Sequence, residues 1–319
     1  MFLQRNNAVR HDKRHGGYAS DECAIIGAIA GDIIGSAHEL KGTRIKTTAF
    51  ELFPETATFT DDTVMTIAVM KWLSDIYKIP TCEAGLVPIM KDIGLRYMKV
   101  GYGHSFKQWL RSDNPEPYNS LGNGSAMRVT AAGLFGQNLE ECQRIAKISA
   151  CVSHNHPDGI KGAEAVASAI HLARIFTTKE CIKTYIEKKY GYNLSRTLDD
   201  IRPTYEFDPT CPGSVPEAII CFLEGNDVES TIRNAVSLGG DADTQACIAG
   251  SIAGAYYGIV PHLFVERIES ILPDEFLSEI SRFLCLNNDT AKTICYDPNE
   301  DKKELRRVLG LRWNFNELL

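Results

Sequence analysis

Two short acidic clusters, far apart in the chain, each stand at the head of an apolar, helix-like run. They are Thr60-Asp61-Asp62-Thr63 before VMTIAVMKWL, and Asp241-Ala242-Asp243-Thr244 before QACIAGSIAGAYYG. Nothing else in the sequence restricts its folding as strongly. Carboxylates packed this closely repel one another and resist desolvation, so a buried group of them has to protonate, find hydrogen-bond partners or bind a cation.

One explanation is local. Asp and Thr at a helix start cap free N–H groups, and negative charge suits the positive end of the helix dipole. Capping accounts for either cluster alone. Both, however, lead into helices too apolar to lie on the surface, which places four carboxylates and several hydroxyls at the ends of central helices. Oxygen-only ligand sets of this kind suit Mg²⁺, Mn²⁺ or Ca²⁺ rather than zinc or copper. An EF-hand does not fit, because a loop counted from Asp241 puts Ala246 at its glycine position and Ile252 at its bidentate position. The string DADT also matches the DxDxT of aspartyl-phosphate phosphatases, but Gly239-Gly240 interrupts the strand that should precede it.

The rest of the chain reads as all-α. Apolar residues recur at three and four positions over 63–77, 83–98, 126–135, 139–152, 158–176, 179–189, 214–224, 228–237, 244–257, 262–271 and 274–284. Strand signals are few, and the best of them, near 201–207, is too short to seed a sheet. CAIIGAIAGDIIGSAHE, from Cys23, and GSIAGAYYG, from Gly250, share a small-residue texture that suits two helices packed closely at the centre. Residues 1–22 read as a polar, flexible N-terminal extension, 23–296 as one domain, and 297–319 as a charged tail or surface helix. The stretch 101–125 is helix-poor, and its aromatic residues Tyr102, Phe106, Trp109 and Tyr118 favour an ordered, functional loop.

Composition excludes some functions. With 34 basic against 41 acidic residues the net charge is −7, which argues against a surface devoted to nucleic acid. The ten cysteines form no CxxC pair and no zinc-finger spacing, so they read as small core residues, reduced, in a cytoplasmic protein. No start-of-chain segment resembles a signal peptide, and no apolar run of about 18 residues predicts a membrane span.

Four further features carry possible chemistry. Asp32 and Glu39 stand two turns apart on one helical face. For Asp32, hydrogen bonding to backbone or a neighbouring helix suffices. Glu39 closes an apolar helix, where a carboxylate opposes the dipole and needs another reason to be present: a metal, or a water to activate. Gly122-Asn123-Gly124-Ser125 before AMRVTAAGLFG outlines a phosphate cradle, although Asn-Gly is above all a turn signal, and Arg128 just beyond is a candidate salt-bridge partner. In Ser153-His154-Asn155-His156, His154 reads as a satisfied loop histidine or as one that hydrogen-bonds substrate hydroxyls.

Taken in order, GAIAGDIIGSAHE, FTDDTVMT, PYNSLGNGSAMRV, SHNHPDGIKGA, GSVPEAI and SLGGDADTQACIAGSIAGAYYG resemble the ADP-ribosylglycohydrolase family over about residues 23–260. The resemblance implies an all-α orthogonal bundle with two divalent cations, Mg²⁺ or Mn²⁺, at the mouth of an ADP-ribose cleft. Carried over by motif, Thr60, Asp61 and Asp62 bind metal from one side, and Asp241, Asp243 and Thr244 from the other. Glu39 matches a glutamate proposed as a base, so that Glu39, Asp61 and Asp62 are the expected catalytic residues. Gly122, Asn123, Gly124 and Ser125 match a loop near the diphosphate, and His154 a histidine near the ribose. Ala242 departs from the family, since its methyl group cannot coordinate. The expected activity is metal-dependent release of ADP-ribose from a protein or another ADP-ribosylated acceptor, by a monomer, with nucleic acid entering only as a modified acceptor. The alternative is a catalytically silent ADP-ribose or nucleotide sensor.

Overall fold

Helices α1 (Gly17–Ser36) and α12 (Ala242–Tyr257) form the axis of the molecule, and the reason lies in their small residues. They run antiparallel in backbone contact. A Cβ built on Gly27 would lie 2.2 Å from the carbonyl oxygen of Gly250, one on Gly31 2.1 Å from that of Ala246, and one on Gly254 2.0 Å from that of Cys23. Only glycine permits this approach. Every residue of α12 from Ala242 to Ala255 is buried, with α7, α10, α11 and α2 closing around the pair.

The computed structural model describes residues 17–40, 42–76, 85–175, 177–293, 303–304 and 307–308. The remaining helices are α2 (Asp61–Ile76), α3 (Leu86–Arg96), α4 (His104–Arg111), α5 (Thr130–Phe135), α6 (Leu139–Cys151), α7 (Pro157–Arg174) and α8 (Lys179–Tyr190). They continue with α9 (Leu198–Ile201), α10 (Cys211–Glu224), α11 (Val228–Val236), α13 (His262–Ile271) and α14 (Asp274–Thr293), and one 3₁₀ turn occupies Asn123–Ser125. Among the described residues there is no strand, only a single bridge between Gly122 and Thr210. No described helix is long and apolar enough to cross a membrane.

Two local differences from the sequence reading have clear causes. Helix α1 starts at Gly17, ahead of the Cys23 at which the sequence places the start of the core, and Ser20 and Asp21 are buried. Asp21 tolerates burial because Arg174 Nε donates to it at 2.7 Å and Asn287 Nδ2 at 2.6 Å. The first 16 residues of the expected extension, and most of the charged tail, lie outside the described residues. Within the tail, Lys189 pairs with Glu304 at 3.0 Å. Second, the stretch 101–125 contains helix α4, whose Phe106, Trp109 and Leu110 face inward. The segment around 201–207 seeds no sheet, as expected, and holds the end of α9 and an irregular run, with Tyr205 Oη donating to the Gly213 carbonyl at 2.8 Å.

Candidate active site

The antiparallel axis brings the C-terminal end of α1 to the N-terminal end of α12. A Cβ on Gly35 would meet the backbone of Ala242 and Asp243 at 2.4 Å, so Asp32, one turn earlier, lies beside Asp243. The start of α2 is fastened to the same place by Asp32. Thr60 donates to it through N–H (2.9 Å) and Oγ1 (2.6 Å), and Thr63 through N–H (3.1 Å) and Oγ1 (2.5 Å). The two acidic clusters of the sequence therefore meet, with Thr244 Oγ1 donating to Asp62 Oδ2 at 3.3 Å across the junction.

Two overlapping carboxylate triads result. One oxygen each from Asp32, Asp62 and Asp243 lie within 4.8 Å of one another, and so do oxygens of Glu39, Asp241 and Asp243. Asp243 belongs to both. Asp32, Asp62, Asp241 and Asp243 are buried, while Glu39 is half-buried. Among the described residues none of these five forms an ion pair. Burial, followed by the charges of Asp241 and Asp62, pushes the Asp243 carboxyl well above the usual carboxylate range. Burial and the charge of Asp32 do the same to Asp62, and burial with Asp241 raises Glu39. The nearby cation is Arg44, whose Nε donates to the Glu39 carbonyl at 2.9 Å and whose guanidinium sits 4.5 Å over the Phe207 ring.

Such crowding is costly unless positive charge enters, and Asp62 Oδ1 is buried with no hydrogen-bond partner. An all-oxygen donor set with a buried, unpartnered carboxylate oxygen fits a hard divalent cation.

The other residues singled out by the sequence are distributed as follows. The Asp61 carboxylate is in neither triad; its Oδ1 faces the backbone of Gly101, where φ is +111° and a Cβ would come within 2.8 Å. Glu39 lies three residues beyond the end of α1 rather than closing it, so the opposed-dipole argument for it does not hold. What accounts for Glu39 is its place in the second triad. Asn123 is turned inward, with Nδ2 donating to Asp241 Oδ2 at 2.6 Å and Ser214 Oγ at 3.0 Å. Ser125 Oγ donates to the Gly159 carbonyl at 2.8 Å. The N–H groups of Gly122 and Asn123 are taken by Ser120 Oγ and the Pro209 carbonyl, so the cradle outline holds less free backbone than the glycine pattern implied. The helix expected from residue 126 begins at Thr130. His154 is buried beside this loop, its ring 5.6 Å from that of Tyr118. His156 caps α7, with Nδ1 accepting from the Asp158 N–H at 3.1 Å. Arg128 makes no salt bridge among the described residues and instead donates to Ser149 and Ser153.

Sequence reasoning left Asp32 out of the site. Its expected hydrogen bonds to a neighbouring helix are present, and the same bonds make it a wall of the first triad. Glu39 lies beyond α1, so the two do not share a helical face; the signal was a single carboxylate inside the otherwise apolar run CAIIGAIAGDIIGSA.

The family model for ADP-ribosylglycohydrolase matches residues 22–292. The chain belongs to the ADP-ribosylglycohydrolase family. Like other members of that family it is an enzyme, a glycohydrolase. This ADP-ribosylglycohydrolase is similar to human "ADP-ribosylhydrolase ARH3", with 28% identity over 330 residues covering 80% of this chain and 90% of that protein. It is also similar to the "ADP-ribosylarginine hydrolase Tri1" of Pseudomonas putida, 23% identical over 178 residues and covering 52% and 48% of the two chains. Among solved structures, a chain of an "ADP-ribosylglycohydrolase-related protein complex" shares the fold at a TM-score of 0.64 and 20% identity, covering 85% of this chain and 99% of that one.

Proposed function

We propose that this glycohydrolase is divalent-cation dependent and that it releases ADP-ribose from an ADP-ribosylated acceptor. The observation that carries the reading is the pair of triads sharing Asp243, with a buried Asp62 oxygen left without a partner. Asp32, Asp62, Asp241, Asp243 and Glu39 would hold Mg²⁺ or Mn²⁺, with Thr60 and Thr244 adding hydroxyl oxygens and Asp61 joining from the Gly101 side. Bound there, the cations supply concentrated positive charge that offsets the carboxylates and favours ionisation of water.

The chain's own groups do the rest. Cleavage at the anomeric carbon passes through an oxocarbenium-like state: water adds to that carbon, the bond to the acceptor breaks, and the acceptor leaves with a proton. Glu39, half-buried at the edge of the site and held above the usual carboxylate range by burial and Asp241, orients the water and takes its proton. Buried Asp62 and Asp243, as ligands of the cations, would keep the charge of the site balanced. Asn123 holds Asp241 in place, while the Gly122–Ser125 loop and His154 bind the ADP-ribosyl group. The enzyme would act as a monomer in the cytoplasm. Its acceptor is a modified protein side chain or a similar group.

The test is a panel of acceptors ADP-ribosylated on arginine, on serine, on a nucleic-acid end and on a small molecule, each assayed with Mg²⁺ and with EDTA. Cation-dependent release of free ADP-ribose from at least one supports the reading. Full release in EDTA sinks the cation role. No release of ADP-ribose from any of the four sinks the acceptor reading.

A further inference from the structure

We infer that Arg128 and Ser153 are positioning residues that fix the tautomer of His154, leaving the proton on Nε2 to meet a hydroxyl or phosphoryl oxygen of the ADP-ribosyl group at the Gly122–Gly124 loop. Arg128 is 1% exposed and forms no ion pair among the described residues. Its Nη2 donates to the Ser149 carbonyl at 2.5 Å and to Ser153 Oγ at 3.0 Å, and Nε donates to Ser149 Oγ at 3.3 Å. A guanidinium has donors only, so Ser153 Oγ must be the acceptor in its bond with Arg128.

Ser153 is fully buried, and its hydroxyl hydrogen needs an acceptor of its own. His154 Nδ1 lies 2.7 Å away. If Nδ1 carried the proton and donated to Ser153, that hydroxyl hydrogen would be stranded, an unfavourable state for a buried group. Ser153 therefore donates, Nδ1 accepts, and the imidazole proton resides on Nε2. Burial, followed by the charge of Arg128, holds His154 well below the ordinary histidine range, so the ring stays neutral.

Nε2 has no hydrogen-bond partner among the described residues. It lies 3.1 Å from the position a Cβ would take at Gly124 and 3.5 Å from that at Gly122. The two glycines keep the space in front of the N–H free of side chains. Tyr118 and Phe106, with ring centres 5.6 and 6.3 Å away, flank the ring. The result is a preset donor rather than a base.

The ligand half of this inference rests on the ADP-ribosyl reading above, whereas the tautomer half does not. Long-range ¹H–¹⁵N correlation on the full chain at pH 7, without ligand, reads the tautomer directly, with His154→Asn assigning the resonance. The expected pattern is a protonated Nε2 and an unprotonated Nδ1. ADP-ribose then shifts the Nε2 signal, and Ser153→Ala gives a tautomer mixture and weakens ADP-ribose binding about fivefold, the scale of one hydrogen bond. A proton on Nδ1 in the wild type overturns the inference whether or not Ser153→Ala folds. So does a Ser153→Ala variant with unchanged tautomer and affinity. An Nε2–H tautomer in a wild type that binds no ADP-ribose removes the ligand half and the ADP-ribosyl reading with it.

Discussion

Replacing Gly31 with alanine tests the link between the helix axis and the carboxylate site. The new methyl group would lie 2.1 Å from the Ala246 carbonyl oxygen, 2.3 Å from its carbon and 2.7 Å from the Cys247 nitrogen. Ordinary contact between such atoms begins near 3.4 Å, so the clash amounts to about 1.3 Å. All three atoms are backbone, and no rotamer change relieves it; α1 and α12 must move apart. Overpacking of this kind costs up to about 3 kcal/mol, and the better helix propensity of alanine returns about 1 kcal/mol, for a net loss near 2 kcal/mol. In a protein of this size that lowers Tm by roughly 4 °C. Asp32 follows Gly31 directly, so the same movement opens the Asp32–Asp62–Asp243 triad, and Mn²⁺ affinity falls on the order of tenfold. Thermal unfolding by circular dichroism and Mn²⁺ titration by calorimetry read both effects. Gly85→Ala is the control, because its nearest neighbour is the Trp72 side chain at an ordinary 3.6 Å. A Gly31→Ala protein with wild-type Tm and wild-type Mn²⁺ affinity would refute the reasoning.

Four other outcomes follow from the same geometry. Asp243→Asn should abolish turnover and Mn²⁺ stabilisation yet raise Tm in EDTA, because it relieves crowding between the triads; a lower Tm in EDTA would show that the carboxylates are not crowded. Chelation of the wild type should remove activity and lower Tm, with Mn²⁺ restoring both, and activity that survives exhaustive dialysis against EDTA would contradict the cation role. Glu39→Gln should keep ADP-ribose affinity and lose rate by on the order of 10²-fold or more, as expected for a lost general base, and unchanged kcat would remove Glu39 from the chemistry. Lys179→Met should cost about 2–4 kcal/mol in urea unfolding, because Nζ donates to the Phe222, Leu223 and Gly225 carbonyls at the end of α10 and lies over the Phe222, Tyr256 and Tyr257 rings. A loss below about 0.5 kcal/mol would mean water replaces those bonds.

The amphipathic periods of α6, α11 and α13 made their helices readable within a residue or two of their ends, since an apolar stripe at three and four positions has no other regular use. Helix α4 was less visible: its buried Phe106, Trp109 and Leu110 are embedded among Gly, Asn, Ser and Pro, which local propensity reads as loop until packing overrides it. The start of α1 was missed because Asp21 looks like a surface residue, and its partner Arg174 is distant in the chain.

By itself the sequence determined the all-α class, the small-residue helices suited to a central pair, and the composition of the acidic clusters, because helical period, side-chain size and charge are local properties. Tertiary structure alone decided which carboxylate oxygens meet. It put Asp32 into the first triad, left Asp61 outside both, turned Asn123 onto Asp241, and joined Arg128, Ser153 and His154 into one hydrogen-bonded row. The physical reason is range: a hydrogen bond or a crowded carboxylate depends on positions within about 5 Å, and only the close approach of α1 to α12, with α2 fastened to its end, brings such distant parts of the chain together.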